Sequence, residues 1–467
     1  MQVRNPRTGQ YDYNIEVPSP QTLEDLTQRM RHAQREWALL PVAQRVEIMG
    51  IWKTHVEQHK DDLIEALTAD TGRYSESALE YTFLPTGIQR WQKWAVEWFA
   101  HSGEKMSAMP HIRIRQQFVP FPLVVVISPW NFPLLLSVID AIPALMAGCA
   151  VIVKPSEITP RFIEVIQKTI AATPVLCDVF HYIPGAGETG ANLIDLGDLC
   201  CFTGSVATGR QVYQRAAAQF KPCFLELGGK DAALVFEGAD LTHAARSILW
   251  GSTVNCGHSC LSIERVYVQD SIFENFTRAL VRQAEKVRLA YPGAKDGEIG
   301  PVIAERQVAI IDEHLRDAFA KGAKLLTGNS ACEQKGGGYF CRPTVLTNVT
   351  HEMKVMQEET FGPIIPVMQF HTEEEAISMA NSTIFGLSGA VFAANNDTAV
   401  RIAGRMEAGA ISINDCALTA MVHDGEKNAF KMSGLGGTRM GPAAIQRFMR
   451  QKAFLINERE GASPWWF

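Results

Sequence analysis

Five short runs between residues 121 and 227 are apolar almost throughout: 123–127, 151–153, 179–183, 199–202 and 224–227. A strand with one wet face alternates polar and apolar residues, so runs like these must be covered on both faces. Helix-length segments separate them, and that alternation builds a parallel sheet with helices packed above and below. The expected fold class is therefore α/β. A second α/β series follows, with a helix near 239–250, a strand at 265–268, a helix from about 272 to 288, and further alternation to Ala410–Ile413. The N-terminal part reads differently. Leu23, Leu26, Met30, Ala33 and Trp37 recur at three- and four-residue steps, as one helix face does. Val42, Val46, Met49, Trp52 and Val56 repeat the pattern after Pro41. A third helix carrying Leu63, Ile64 and Leu67 is predicted to start from an Asp61 or Asp62 cap.

The 467 residues exceed the roughly 250–300 at which a single core stops growing, so two or three domains are expected. No linker or low-complexity tract separates them, which points to interleaved units. A formal charge of −6 spread along the chain offers no basic patch to nucleic acid or an anionic membrane. Ten scattered cysteines without a Cys-x-x-Cys pair fit a reducing, cytoplasmic setting rather than a disulfide scaffold. The N-terminus has no apolar signal-peptide core. The apolar stretch 134–153 is broken by Asp140, Pro143 and Gly148, so no integral membrane segment is expected.

In parallel sheets, ligands bind beyond the carboxyl ends of the strands, and each of those positions here carries an unusual cluster. After 123–127 comes Ser128-Pro129-Trp130-Asn131-Phe132-Pro133. An Asn stiffened by aromatics and prolines is a good donor for a developing oxyanion, or simply the cap of the helix starting near Pro133. Lys154-Pro155-Ser156-Glu157 follows the next run, either as a ribose contact or as surface charge at a helix start. Two glycine clusters, Gly185-Ala186-Gly187 and Phe202-Thr203-Gly204-Ser205, stand where helix N-termini would offer amides to a pyrophosphate. Turns need glycine anyway, so neither decides the matter. Glu226, in Leu225-Glu226-Leu227-Gly228-Gly229-Lys230, is a carboxylate among apolar residues that desolvation would tune toward a general base. Asn255-Cys256-Gly257-His258-Ser259-Cys260 holds two thiols and an imidazole, but no second Cys/His cluster completes a zinc site, so no metal is expected. A nucleophilic thiol fits better, with its pKa lowered by nearby cations, dipoles or donors. Glu358-Glu359-Thr360-Phe361-Gly362-Pro363 precedes another apolar run, and paired acids there could hold ribose hydroxyls.

Together these clusters, in this order and spacing, resemble the NAD(P)-dependent aldehyde dehydrogenase superfamily, from Asn5-Pro6-Arg7-Thr8-Gly9 to about residue 455. The resemblance implies that Cys260 is the nucleophile, that Glu226 activates water for deacylation, and that Asn131 binds the oxyanion. It implies NAD, with NADP possible, bound by Pro129, Trp130, Lys154, Ser156, Glu157, Gly187, Phe202, Gly204, Ser205, Leu227, Glu359 and Phe361. It implies a small aldehyde as substrate, oxidised to the acid through a cysteine thioester. The wall of the substrate channel falls to Leu135, Leu136, Ile139 and Leu261, whose character favours apolar aliphatic or aromatic tails. The implied architecture has a Rossmann-type cofactor domain at 1–101 and 121–227 and a catalytic domain at 228–428. A small β arm at 102–120 and 448–467 is read as an oligomerisation element, and its aromatic tail Pro464-Trp465-Trp466-Phe467 favours a homodimer or homotetramer. Glu226 argues against a CoA-acylating variant, since such enzymes generally lack the base. The sequence departs from the usual pattern at His258, where many members carry Gln, at Gly436-Gly437-Thr438-Arg439, and throughout 415–428.

Overall fold

The computed structural model describes residues 1–100 and 103–461. Two central sheets carry it. In the first, five parallel strands run Cys223–Glu226, Leu199–Thr203, Leu123–Ile127, Ala150–Lys154 and Phe180–Tyr182, and the antiparallel pair Gly434–Leu435 closes one edge. Numbered along the chain, the parallel strands stand 5-4-1-2-3, so the direction of winding reverses between Leu123–Ile127 and Leu199–Thr203. Every residue of Leu123–Ile127 and Ala150–Lys154 is buried, as their composition requires.

The second sheet has seven strands, ordered Lys324–Thr327, Thr344–Thr347, Ile364–Phe370, Ile263–Gln269, Asp231–Val235, Ser388–Phe392 and Ala410–Ile413. All neighbours are parallel except the first pair. Separate apolar clusters cover its two faces. A third, three-stranded antiparallel sheet joins Glu104–Met106 to Ile112–Pro120 and Met449–Asn457, the last two paired along their whole length. The tail motif Pro464–Phe467 lies outside the described residues.

The N-terminal helices run Pro20–Leu39, Val42–Gln58, Lys60–Thr71 and Ser75–Phe99. Ser19 caps the first by accepting the Thr22 N–H, and Leu23, Met30 and Trp37 bury its apolar face. The third helix does not start at Asp61 or Asp62. His59 holds the cap position without a side-chain cap bond, and both aspartates lie in the first turn, where Asp62 bonds the His59 ring at 2.9 Å. Acidic groups there favour the helix dipole without terminating the helix. Among the described residues no helix is long and apolar enough to cross a membrane.

Candidate active site

At the winding reversal of the first sheet, a cavity of about 680 Å³ opens between the two sheets, within the roughly 300–1,000 Å³ of small-molecule sites. Its lining joins the carboxyl ends of the first sheet's strands to loops that lead into strands of the second. Pro129, Trp130 and Asn131 follow Leu123–Ile127; Ser156 and Glu157 follow Ala150–Lys154, which itself contributes Lys154; Gly204 and Ser205 follow Leu199–Thr203; Leu227 follows Cys223–Glu226. Gly187, Phe202, Leu136, Cys260, Glu359 and Phe361 complete the sequence-derived set found there. Two helices, Gly187–Leu196 and Val206–Ala217, present their N-termini to the cavity, with Ser205 capping the second by accepting the Thr208 N–H. First-turn amides and the positive dipole end are what a pyrophosphate needs, so these residues fit a dinucleotide. Arg306, Gln307, Ile310 and Arg215 also line the cavity, and no pattern in their sequence singles them out.

Cys260 ends a tightly constrained turn. Asn255 and Cys256 both adopt left-handed backbone (φ 56°), a conformation of order 1–3 kcal/mol above the ordinary for residues with a Cβ. Surrounding bonds hold them there: the Asn255 amide donates to the carbonyls of Asn131 (2.8 Å) and His258 (3.1 Å), and its N–H donates to Glu76 Oε1 (3.1 Å). Gly257 also has positive φ, and a Cβ on it would overlap the Gly362 carbonyl. A Cβ on Gly229 would strike the Cys260 carbonyl, so the Gly228-Gly229 turn and the nucleophile turn meet backbone to backbone.

Asn131 does not cap the helix Pro133–Ala147, as one reading of its position allowed. Phe132 occupies the cap position, and the free amides of Leu134 and Leu135 go to Glu80 Oε2 at 3.0 and 3.1 Å. Glu80 is buried and pairs through its other oxygen with Arg73 (3.0 Å), whose guanidinium donates to the Asn131 carbonyl at 2.6 Å. The Asn131 side chain is free for another use: Nδ2 donates one N–H to the His258 carbonyl at 3.0 Å.

The thiol contradicts its sequence expectation. Burial pushes the Cys260 pKa up to about 12, and the Glu359 carboxylate adds to the rise; Lys427 opposes it, while Asp231 and Glu226 work with it. Glu359 is itself pushed up to about 8, by burial first and by Glu264 second, although it accepts the Gly229 N–H at 3.0 Å. Behind it, Glu264 accepts the main-chain N–H groups of Thr360 and Phe361, both at 2.7 Å, and takes the Lys230 ammonium at 2.5 Å. Gln307 holds the Thr360 carbonyl at 2.7 Å. This buried network fixes Glu359 and Phe361 against the cavity. His258 packs edge-on to Trp130 and lies 5.8 Å from the Phe361 ring, so three motifs share one aromatic contact.

Glu226 is half-buried at the end of its strand. It does not line the cavity, although its charge reaches Cys260 and Arg439. The proposed channel residues divide. Leu136 lines the large cavity, whereas Leu135 and Ile139 line a separate pocket of about 30 Å³ with Phe83, Trp91 and His423, and Leu261 lines neither. The helix Pro133–Ala147 runs between the two spaces, and Leu135 and Ile139, four apart, face the second.

The sequence profile described as "Aldehyde dehydrogenase family" matches residues 1–454. The chain is 35% identical to 4,4'-diapolycopene aldehyde oxidase from Methylomonas sp, over 99% of its own length and 87% of that protein's. Its fold is similar to that of PutA from Anabaena variabilis, named as an aldehyde dehydrogenase, at a TM-score of 0.98 and 53% identity over 100% and 99% of the two chains. It is also similar to betaine aldehyde dehydrogenase from Staphylococcus aureus in complex with NAD+, at a TM-score of 0.93 and 29% identity over 100% and 93%.

Proposed function

The chain belongs to the aldehyde dehydrogenase family, and from that premise we propose that it oxidises apolar aliphatic or aromatic aldehydes to carboxylic acids with NAD, through a thioester on Cys260. The observation that carries the proposal is that Cys260 and Asn131 border one cavity with the helix N-termini and Glu157, which suit a dinucleotide. In this reading the Cys260 thiolate adds to the aldehyde carbon, and the carbonyl oxygen becomes an oxyanion. With one Asn131 N–H engaged on His258, the other remains for that oxyanion, together with the Cys260 main-chain N–H. Lys154, Glu157, Gly204, Ser205, Glu359 and Phe361 would hold NAD, whose nicotinamide would supply the hydride acceptor. Hydride loss leaves an acyl thioester on Cys260. Glu226 then takes a proton from the water that attacks it, releasing the acid and the thiol.

The test is aldehyde-dependent NADH formation by wild type and by Glu226→Gln. The variant is expected to release about one equivalent of NADH per site as a burst and then to stall. A lost burst with normal later turnover would remove Glu226 from that role, and a requirement for CoA would replace water as acyl acceptor.

Two ion pairs favour NAD over NADP. Lys154 is spent on the Gly185 carbonyl (2.7 Å) and lies 3.6 Å from Glu157, while Arg215 is held by Asp195 (2.9 Å). Both cations already have partners, and Glu157 would repel a 2′-phosphate. NAD is expected to exceed NADP at least tenfold in kcat/KM.

The apolar substrate reading rests on Leu136 in the cavity wall and on a relative named for a polyene aldehyde. Each buried CH₂ adds roughly 0.8 kcal/mol, so kcat/KM is expected to rise from propanal to octanal. A second reading has one specific support: Lys427 forms no ion pair among the described residues, yet its charge acts on Cys260. Succinic semialdehyde outperforming octanal would favour that reading.

A further inference from the structure

Behind the nucleophile turn lies a second group of thiols. The strands Glu333–Lys335 and Gly338–Phe340 form an antiparallel hairpin in which Glu333 faces Phe340. One step further along the ladder stand Cys332 and Cys341, with Sγ atoms in contact at 2.7 Å. Facing positions of antiparallel strands lie about 4.5–5.5 Å apart at Cα, inside the span a disulfide bridges. Cys341 is buried, and its main-chain N–H reaches the thiol of Cys256, four residues before the nucleophile. Cys332 is half-exposed, and Asp312 Oδ1 fixes its N–H at 2.9 Å. Of the two residues only Cys332 keeps surface exposed to solvent, and the buried Cys341 sulfur lies directly against its thiol.

We propose that Cys332 and Cys341 form a reversible oxidation site for low-molecular-weight disulfides such as oxidised glutathione, separate from the chemistry of Cys260. The Cys332 thiolate attacks one sulfur of the small disulfide, forming a mixed disulfide and expelling one thiolate. The Cys341 thiolate then attacks Cys332 Sγ and expels the second. Two protein thiols lose two electrons and two protons, and one small disulfide becomes two thiols. The order follows from the surroundings: the Cys332 thiol and burial hold the Cys341 thiol well above its ordinary value, so the less buried Cys332 reacts first. Bridging needs little movement. The hairpin is already tied at its Gly337 carbonyl by Arg4 (3.2 Å) and at its Tyr339 carbonyl by the Val302 N–H (2.7 Å).

The site is tested on the full-length protein by equilibration in glutathione buffers of graded ratio, acid quenching, alkylation and peptide mapping. Expected is a Cys332–Cys341 linkage, two hydrogens lighter than the dithiol, that appears with oxidised and disappears with reduced glutathione. Closing so short a loop should raise Tm by about 2–4 °C in the oxidised wild type and not in Cys332→Ser or Cys341→Ser. Both variants should keep dehydrogenase activity within about twofold when reduced. A stable glutathione adduct on Cys332, a bridge to Cys256 instead, or both thiols free throughout the titration would each overturn the proposal.

Discussion

Cys260 sits where its own surroundings oppose ionisation. Burial first and the Glu359 carboxylate second raise the thiol pKa; since Glu359 itself ionises only toward pH 8, removing its charge should ease thiolate formation at that pH and above. Glu359→Gln is expected to lower the thiol pKa and to speed alkylation of Cys260 by iodoacetamide at pH 8 several-fold; an unchanged pH profile would disprove the coupling. The linkage to stability runs the other way from most carboxylates. Because Glu359 binds its proton more tightly when folded, its stabilisation is complete below the ordinary carboxylate pKa and is lost as pH rises toward about 8. The stability deficit of Glu359→Gln relative to wild type should therefore shrink between pH 5 and pH 8 in denaturant titrations. Cys260→Ala should abolish aldehyde-dependent NADH formation while NAD still binds, and Cys256→Ala should retain most turnover. The sequence could not foretell the raised thiol pKa, because both causes come from folding: burial, and a carboxylate brought in on a distant loop held by Glu264 and Lys230.

At the scale of elements, what was legible follows from how local the cause is. The run 123–127 reads as a doubly covered strand from five adjacent residues, and Ser205 reads as a helix start because it caps its own chain three residues on. The helix Pro133–Ala147 misled because its cap is Glu80, on another helix. The pattern around Asn131 looked complete without it. That arrangement makes Glu80 more than a filler of the core. Glu80→Ala would strand Arg73 as an unpaired buried charge and leave two helix amides open, a loss of about 3–5 kcal/mol. Calorimetry should show the lower Tm, and the NADH burst should slow, because Arg73 would no longer be fixed beneath Asn131. The divided substrate wall has a similar origin. Leu135, Leu136 and Ile139 are close in sequence, but which helix face meets which cavity depends on Phe83, Trp91 and His423, from elsewhere in the chain.

For the whole molecule, the three-stranded sheet leaves Leu455, Phe454 and Met106 exposed, at 70%, 41% and 57%. Apolar side chains on an antiparallel sheet with open edges suit an assembly surface. If this sheet is such a surface, Leu455→Asp is expected to lower the sedimenting mass of the wild-type protein; an unchanged mass would remove the sheet from that role. The buried strands and the glycine-led helix starts were readable because each is a short-range pattern repeated; the order of the strands in the sheet was not. Nor was the closure of the cavity by a second sheet, since it depends on contacts between halves such as the Asn131 side chain on the His258 carbonyl. The Glu80 clasp has one more consequence. It grips the helix Pro133–Ala147 by main-chain amides and by nothing that a side chain at 135, 136 or 139 supplies. Leu136, the one of the three in the wall of the large cavity, can therefore be exchanged while the anchor that orients Asn131 keeps its place. The cavity wall and the anchor beneath Asn131 are separately adjustable on the same fifteen-residue helix.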